Sequence, residues 1–342
     1  MTHASSHRRI ACEEAFQIPE ILESLRKLYG SAPDISSGPL GGPVVPLLLD
    51  IGAGRIRGMD DAGIDMQILS LVSPGVQNFD AGTAVSMARL ANDRLSDAVR
   101  TYPTRFAGLA SFAPQDPVAA AKELERAVTK LGLHGALVNS HTHGEYLDDE
   151  KFWPIFEAAE ALGIPIYIHP REPAPSMAAP LSMSGFTIGW GFAVEASTHA
   201  LRLIAAGVFD RFPRLKIVLG HMGEGIPFML DRIDNRYAFE TALFPPPRKL
   251  KRLPGEYFRD HFFITTSGMN FHAPLRATIE TLGVERVLFA VDFPFDDQRT
   301  CVDAIESMPL TVEERQAICE TNACKVFGLR EMYSPISEQT SH

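Results

Sequence analysis

A few polar side chains stand where this sequence is otherwise apolar. Asp292 closes the run 287–291, which reads as a buried strand, and Pro294 follows two places later. His169 closes IPIYIH, His221 closes KIVLGH, and Glu13 and Glu14 lie side by side within ACEEAF. A strand covered on both faces is apolar throughout, and a buried carboxylate needs an opposite charge, hydrogen bonds or a cation. The plain alternative for Asp292 is a cap on the next helix, and a lone histidine at a strand end is more often structural. Acid or imidazole at four separate strand ends is a constellation, and its chemistry is cation binding with proton transfer.

Strand side chains alternate between faces. Ala11, Glu13 and Ala15 therefore share one face, while Ile10, Cys12, Glu14 and Phe16 share the other. The second face is large and apolar and is expected against outer helices. Glu13, flanked by small residues, is the better ligand, and Glu14 is expected to orient neighbours or cap a backbone group. Glu13, His169 and Asp292 offer mixed oxygen and nitrogen donors without thiolate, which leaves zinc, manganese, iron and magnesium open. GHMGE sets Glu224 three residues after His221, expected one turn into the following helix. There it would orient the imidazole as a proton-relay pair, or else complement the helix N-terminus.

These residues need elements to position them, and the chain alternates β-like and helical runs. Strands are expected at 10–16, 66–71, 106–112, 134–140, 164–169, 216–221, 262–267 and 287–292. Helices are expected at 56–62, 83–101, 152–162 and 198–206, and from about 223 and 311 onward. In 116–133, Val118, Ala121, Leu124, Val128 and Leu131 recur at helical spacing, with Asp116 as N-cap and Gly132 as stop. Thr311 and Glu314 have capping-box spacing. Gly/Pro-rich stretches at 31–48 and 171–191 read as loop insertions. This pattern predicts an α/β protein, a (β/α)8 TIM barrel forming one domain over 1–342, with a core of about 9–330 and a loose tail from Ser334. In such a barrel the active site lies at the C-terminal strand ends, where the polar residues fall.

The bulk numbers exclude several functions. The chain has 342 residues, 45% hydrophobic and 22% charged, with a formal net charge of -10. That charge argues against nucleic acid and anionic membrane surfaces, and no apolar run approaches the roughly 18 residues of a membrane span. The N-terminus lacks the apolar stretch of a secretory signal. Cys12, Cys301, Cys319 and Cys324 have no zinc-ribbon or CxxC spacing, as expected of a reduced, cytoplasmic protein. GPLGGP neither follows a strand nor opens a helix, so no organic cofactor is expected. His141 and His143 are read as solvated loop residues and His199 as structural, while His272 follows the seventh strand without an assigned role.

ACEEAF, YIHP, GHMGE and AVDFPF, in this order and at these separations, resemble the metal-dependent aromatic-acid decarboxylases of the amidohydrolase superfamily. The resemblance runs from about residue 9 to 330, includes SPGVQ at 73–77 and APQDP at 113–117, and is greatest to the 5-carboxyvanillate branch. It implies non-oxidative loss of carbon dioxide from a hydroxybenzoate-type acid. It also implies one divalent cation, manganese foremost and zinc or magnesium as alternatives, held by Glu13, His169 and Asp292. His221 and Glu224 would form the histidine–carboxylate pair beside Asp292, the proton donor. Ala15 stands where many relatives have a further histidine, which implies a more open ion. Arg55 would contact substrate, and Arg232 would reach a neighbouring subunit's site in a homodimer or homotetramer. Val72 and Phe295, expected to line the substrate pocket, replace a threonine and a tyrosine of that branch, so the substrate is expected to lack one polar substituent. The rival reading is a metal-dependent hydrolase of a lactone, ester or amide using the same residues.

Overall fold

A computed structural model describes residues 7–30, 35 and 38–329. The tail expected from Ser334, the first six residues and part of the 31–48 segment lie outside them. Eight strands form one sheet in sequential order, and every laddered pair is parallel. They are β1 (Ile10–Phe16), β2 (Met66–Leu71), β3 (Phe106–Ser111), β4 (Gly135–Asn139), β5 (Pro165–His169), β6 (Lys216–Leu219), β7 (Phe262–Thr265) and β8 (Val287–Leu288). The sheet curls on itself. Cys12 N–H donates to the Phe289 carbonyl (3.1 Å) and Ala15 N–H to that of Phe293 (2.8 Å), joining β1 to the chain after β8. With helices between successive strands, this is the expected (β/α)8 barrel.

Two apolar layers hold it. One fills the barrel: Ile10, Cys12, Met66, Ile68, Leu109, Tyr167, Val218 and Leu288 pack with Val326 and Phe327 of the last helix, Asn322–Phe327. The other lies between sheet and helices and takes the alternate strand residues, such as Leu69, Ile166, Ile168, Ile217 and Val287. Ile10 and Cys12 thus point inward, not against the outer helices as strict alternation predicts. A register shift between Ala11 and Glu14 is the cause. A bulge puts an extra residue into the strand, so Cys12 and Glu13 both serve the interior.

Caps behave as read: Asp116 accepts from Ala119 N–H (2.9 Å), and Thr311 with Glu314 forms a reciprocal capping box. Other expectations need correction. In the helix Pro117–Thr129 the buried stripe is Ala120, Glu123, Leu124 and Ala127, while Val118 is exposed. Glu123 belongs to it because Asn92 and Arg126 satisfy its carboxylate. The 31–48 segment ends in a helix, Val44–Leu49, and the 171–191 segment holds a turn of helix, Ala178–Leu181. A π-turn, Thr187–Gly191, runs straight into the helix Phe192–Ala205, which begins before residue 198. Beyond Leu288 the chain keeps its inside–outside alternation but leaves the β7 ladder, so β8 is shorter than its apolar run. No helix among the described residues is long and apolar enough to cross a membrane.

Candidate active site

Glu13, His169 and Asp292 converge at the barrel mouth, with one donor atom of each within 4.8 Å of the others. Their arrangement fits a divalent cation on two counts. Glu13 Oε1 is buried without a hydrogen-bond partner. His169 Nδ1 lies 2.7 Å from the Pro170 carbonyl, which fixes its N–H there and leaves Nε2 as a lone-pair donor 3.7 Å from Glu13 Oε1. The other oxygen, Glu13 Oε2, is occupied by the hydroxyls of Thr265 (2.8 Å) and Ser267. Tyr167 extends this hydroxyl cluster through Thr265 (3.0 Å). Gly220 leaves room for the arrangement, since a Cβ there would sit 2.9 Å from Glu13 Oε1.

The proton-handling pair stands alongside. His221 Nδ1 lies 2.7 Å from Glu224 Oε1, so that N–H is directed at the carboxylate. Nε2 then faces Asp292 Oδ2 at 3.7 Å and Glu13 Oε1 at 3.9 Å. Glu224 does not reach this position from a helix. The helix Ile226–Leu243 starts after it, and His221, Met222 and Glu224 all have left-handed φ. Asp292 does too, with φ 76°. Such backbone costs about 1–3 kcal/mol per non-glycine residue and gathers at functional sites.

Electrostatics separate the groups. Burial lifts the Asp292 carboxyl to about 7, despite the opposing hydrogen bond and charge of His221. Burial disfavours a charged His221, but Glu224, Glu13 and Asp292 outweigh it and hold the imidazole well above its usual value. Glu13 moves the other way: burial opposes ionisation, yet His221, His169 and the hydroxyls keep it below the ordinary carboxylate range. Groups driven apart in this manner mark an acid and its partners.

Glu14 caps backbone, as the sequence suggests. Its carboxylate accepts from Val291 N–H (3.0 Å) and Phe293 N–H (3.2 Å), the residues on either side of Asp292. Burial raises its own carboxyl to about 8. Arg55 is buried behind β1, where it donates to the carbonyls of Asp50 (2.8 Å), Ala15 (2.7 Å) and Leu47 (3.0 Å) and lies 4.9 Å over the Phe293 ring. Val72 packs with Ala15 and Leu48 into an apolar cluster at the ends of β1 and β2. Phe295 is half-exposed on the turn after Asp292, to whose carbonyl its N–H donates (2.8 Å). Arg232 is exposed on the helix Ile226–Leu243.

His143 and His272 are exposed. His141 is not solvated as expected: it is buried, with Nε2 at the Glu172 carbonyl (3.1 Å) and Nδ1 accepting from Gly144 N–H (3.1 Å). His199 is structural, accepting from Leu147 N–H (3.1 Å) beneath the same loop. Sequence reasoning missed Thr265 and Ser267. Their signal was present, because each is a polar residue at the end of an apolar strand. Asp296 was missed as well; it faces His221 across Gly268, and burial raises its carboxyl.

The comparisons agree with this geometry. A family model described as Amidohydrolase matches residues 46–329. Gamma-resorcylate decarboxylase from Polaromonas sp. is 40% identical over 332 residues, covering 94% of this chain and 98% of that protein. The crystal structure of 5-carboxyvanillate decarboxylase from Sphingomonas paucimobilis matches with a TM-score of 0.90 at 43% identity, over 94% of this chain and 99% of that one. Dihydroxybenzoic acid decarboxylase from Polaromonas sp., solved with manganese and the inhibitor 2-nitroresorcinol, matches with a TM-score of 0.84 at 39% identity, over 94% and 97%. Matched over this much of its length, the chain belongs to the amidohydrolase family.

Proposed function

We propose that this protein is a manganese-dependent carboxy-lyase that removes carbon dioxide from a hydroxybenzoate-type acid. The observation that carries the reading is the junction of two arrays at one residue: Asp292 completes the Glu13–His169 cluster and also faces His221. Glu13, His169 and Asp292 would hold a divalent ion, which would supply positive charge to stabilise the anionic substrate. Asp292, whose carboxyl burial raises to about 7, would carry the proton to the carboxyl-bearing ring carbon. The carbon–carboxyl bond then breaks, carbon dioxide leaves and the ring regains aromaticity. His221 returns a proton to Asp292, and Glu224 keeps the imidazole aimed. The same steps run in reverse at high bicarbonate.

The apolar cluster of Ala15, Leu48 and Val72 forms a wall for the ring, and Phe295 borders the entrance. Arg55 braces that wall through the Ala15 carbonyl and the Phe293 ring. Arg232 makes no hydrogen bond or ion pair among the described residues. Phe228, Phe239 and Leu243 of its helix are exposed, as are Phe186, Ile188 and Trp190. Exposed aromatic and aliphatic side chains of this kind support a homodimer or homotetramer with Arg232 near the interface. The unbridged cysteines support a reducing, cytoplasmic setting.

The test is carbon dioxide release from a panel of hydroxybenzoic acids with manganese, zinc and magnesium in parallel, beside lactones and esters as hydrolase substrates. Release from at least one acid, abolished by chelation and restored by manganese, is the expected result. Hydrolysis without carbon dioxide release would reverse the assignment, against which the decarboxylase relatives at about 40% identity already weigh.

A further inference from the structure

Asn139 ends β4 next to His169. The two are register partners across β4 and β5. Register partners in a parallel sheet share a face, and the preceding pairs bear this out: Val138 with Ile168 lies in the outer layer, Leu137 with Tyr167 in the barrel interior. The Asn139 carboxamide therefore enters the barrel mouth on the same side as the His169 imidazole, on the neighbouring strand. The residue is 3% exposed, and its Oδ1 has no hydrogen-bond partner. Leaving a buried polar atom unsatisfied costs about 1–3 kcal/mol, and such an atom beside a reaction centre awaits a donor from outside the chain.

The surroundings hold this carboxamide in place. Gln77 clamps the Asn139 backbone from both sides: Oε1 accepts its N–H (2.6 Å), and Nε2 donates to its carbonyl (3.0 Å). The same Nε2 reaches the carbonyl of His141 and the hydroxyl of Thr142 (both 2.9 Å), so one buried amide fixes the whole loop after β4. Gly75, with φ +61°, leaves the space the side chain occupies, since a Cβ there would lie 2.8 Å from Asn139 Nδ2. Both belong to SPGVQ, a motif the decarboxylation chemistry leaves without a role.

We propose that Asn139 is a specificity-determining residue that hydrogen-bonds a second ring hydroxyl of the substrate, and that Gly75 and Gln77 position it for that contact. This rests on the phenolic-acid reading and narrows it to dihydroxylated acids. A hydroxyl is the fitting substituent because it both donates and accepts, so it satisfies either amide orientation. A hydrogen at that ring position satisfies neither.

Two acids differing only in that group make the test: 2,6-dihydroxybenzoate and 2-hydroxybenzoate, with the manganese-loaded full chain. Equilibrium binding by calorimetry and carbon dioxide release are both measured. The wild-type protein should favour the dihydroxy acid by about 10- to 100-fold in binding and in kcat/KM. Asn139→Leu should bring that ratio within about threefold of unity, with manganese binding unchanged. Asn139→Asp, which keeps an acceptor, should retain a preference above about tenfold. Equal wild-type binding of the two acids overturns the proposal, as does an undiminished preference in Asn139→Leu. If the leucine variant does not fold, the wild-type binding ratio decides. A wild-type preference in binding without carbon dioxide from either acid would leave the Asn139 assignment standing and remove the decarboxylase reading.

Discussion

At the scale of single residues, Asp292 joins two tasks that usually fall to different side chains. As a cation ligand it benefits from ionisation, and as an acid it must hold a proton. Glu14 fastens the N–H groups of the residues on either side of it, so its position survives either state. Asn adopts left-handed φ as readily as Asp, so Asp292→Asn should keep the backbone. Turnover should fall at least 10²-fold, the scale of general acid catalysis, with an unchanged circular dichroism spectrum; near-normal activity would refute the acid role. Asp292 and His169 were legible from sequence because each ends an apolar run. Glu13 was identified for a partly wrong reason, since alternation alone does not anticipate the bulge that also turns Cys12 inward.

At the scale of elements, the loop after β4 shows how polar groups build a rigid platform. Glu195 of the helix Phe192–Ala205 accepts from Ser140 Oγ (3.0 Å), Tyr146 Oη (3.0 Å) and Ala174 N–H (2.9 Å), tying three chain segments together. Burial, aided by nearby cations, lowers His199 to about 3 and His141 to about 4, so both stay neutral in the fold. The unfolded chain takes up these protons first as pH falls below the ordinary histidine value near 6.5. Their contribution to stability is therefore complete above that pH and is lost on acidification, at about 1.4 kcal/mol per pH unit for each group. Glu195, raised by burial, offsets part of this at the acid end. Thermal midpoints should fall steadily from pH 7 to 5, and His199→Gln should flatten the slope by about half; an unchanged slope would exclude His199 as the source. None of this was readable from sequence. A histidine amid apolar neighbours gives no hint that Ser140 and Glu195 lie beneath it, and the left-handed turn at 221–224 looks like a helix start.

At the scale of the whole molecule, the barrel was legible because its strands are apolar and its breaks carry Gly and Pro. Its surface was less so. Phe228 is 86% exposed on the helix that carries Arg232, where the proposed oligomer would bury it. Phe228→Asp should shift the protein toward monomer in sedimentation velocity, and Arg232→Met should raise KM without changing subunit number. A monomeric wild-type protein with full activity would contradict the shared-site arrangement. Cation binding should also stabilise the fold: at 100 times the dissociation constant the gain is about 2.7 kcal/mol. Manganese should raise the thermal midpoint by a few degrees, chelator should reverse the gain, and Asp292→Ala should abolish it.

The seam between β1 and β8 gives that stabilisation a kinetic meaning. β8 ladders for two residues, and closure relies on a few bonds between chain segments nearly 280 residues apart. Contacts of such separation form late, after loop-closure entropy has been overcome. Glu13 lies on one side of this seam and Asp292 on the other, so the cation site does not exist until the barrel shuts. A bound cation then acts as a latch on the last step of folding, slowing the reopening of the barrel more than it speeds its closure.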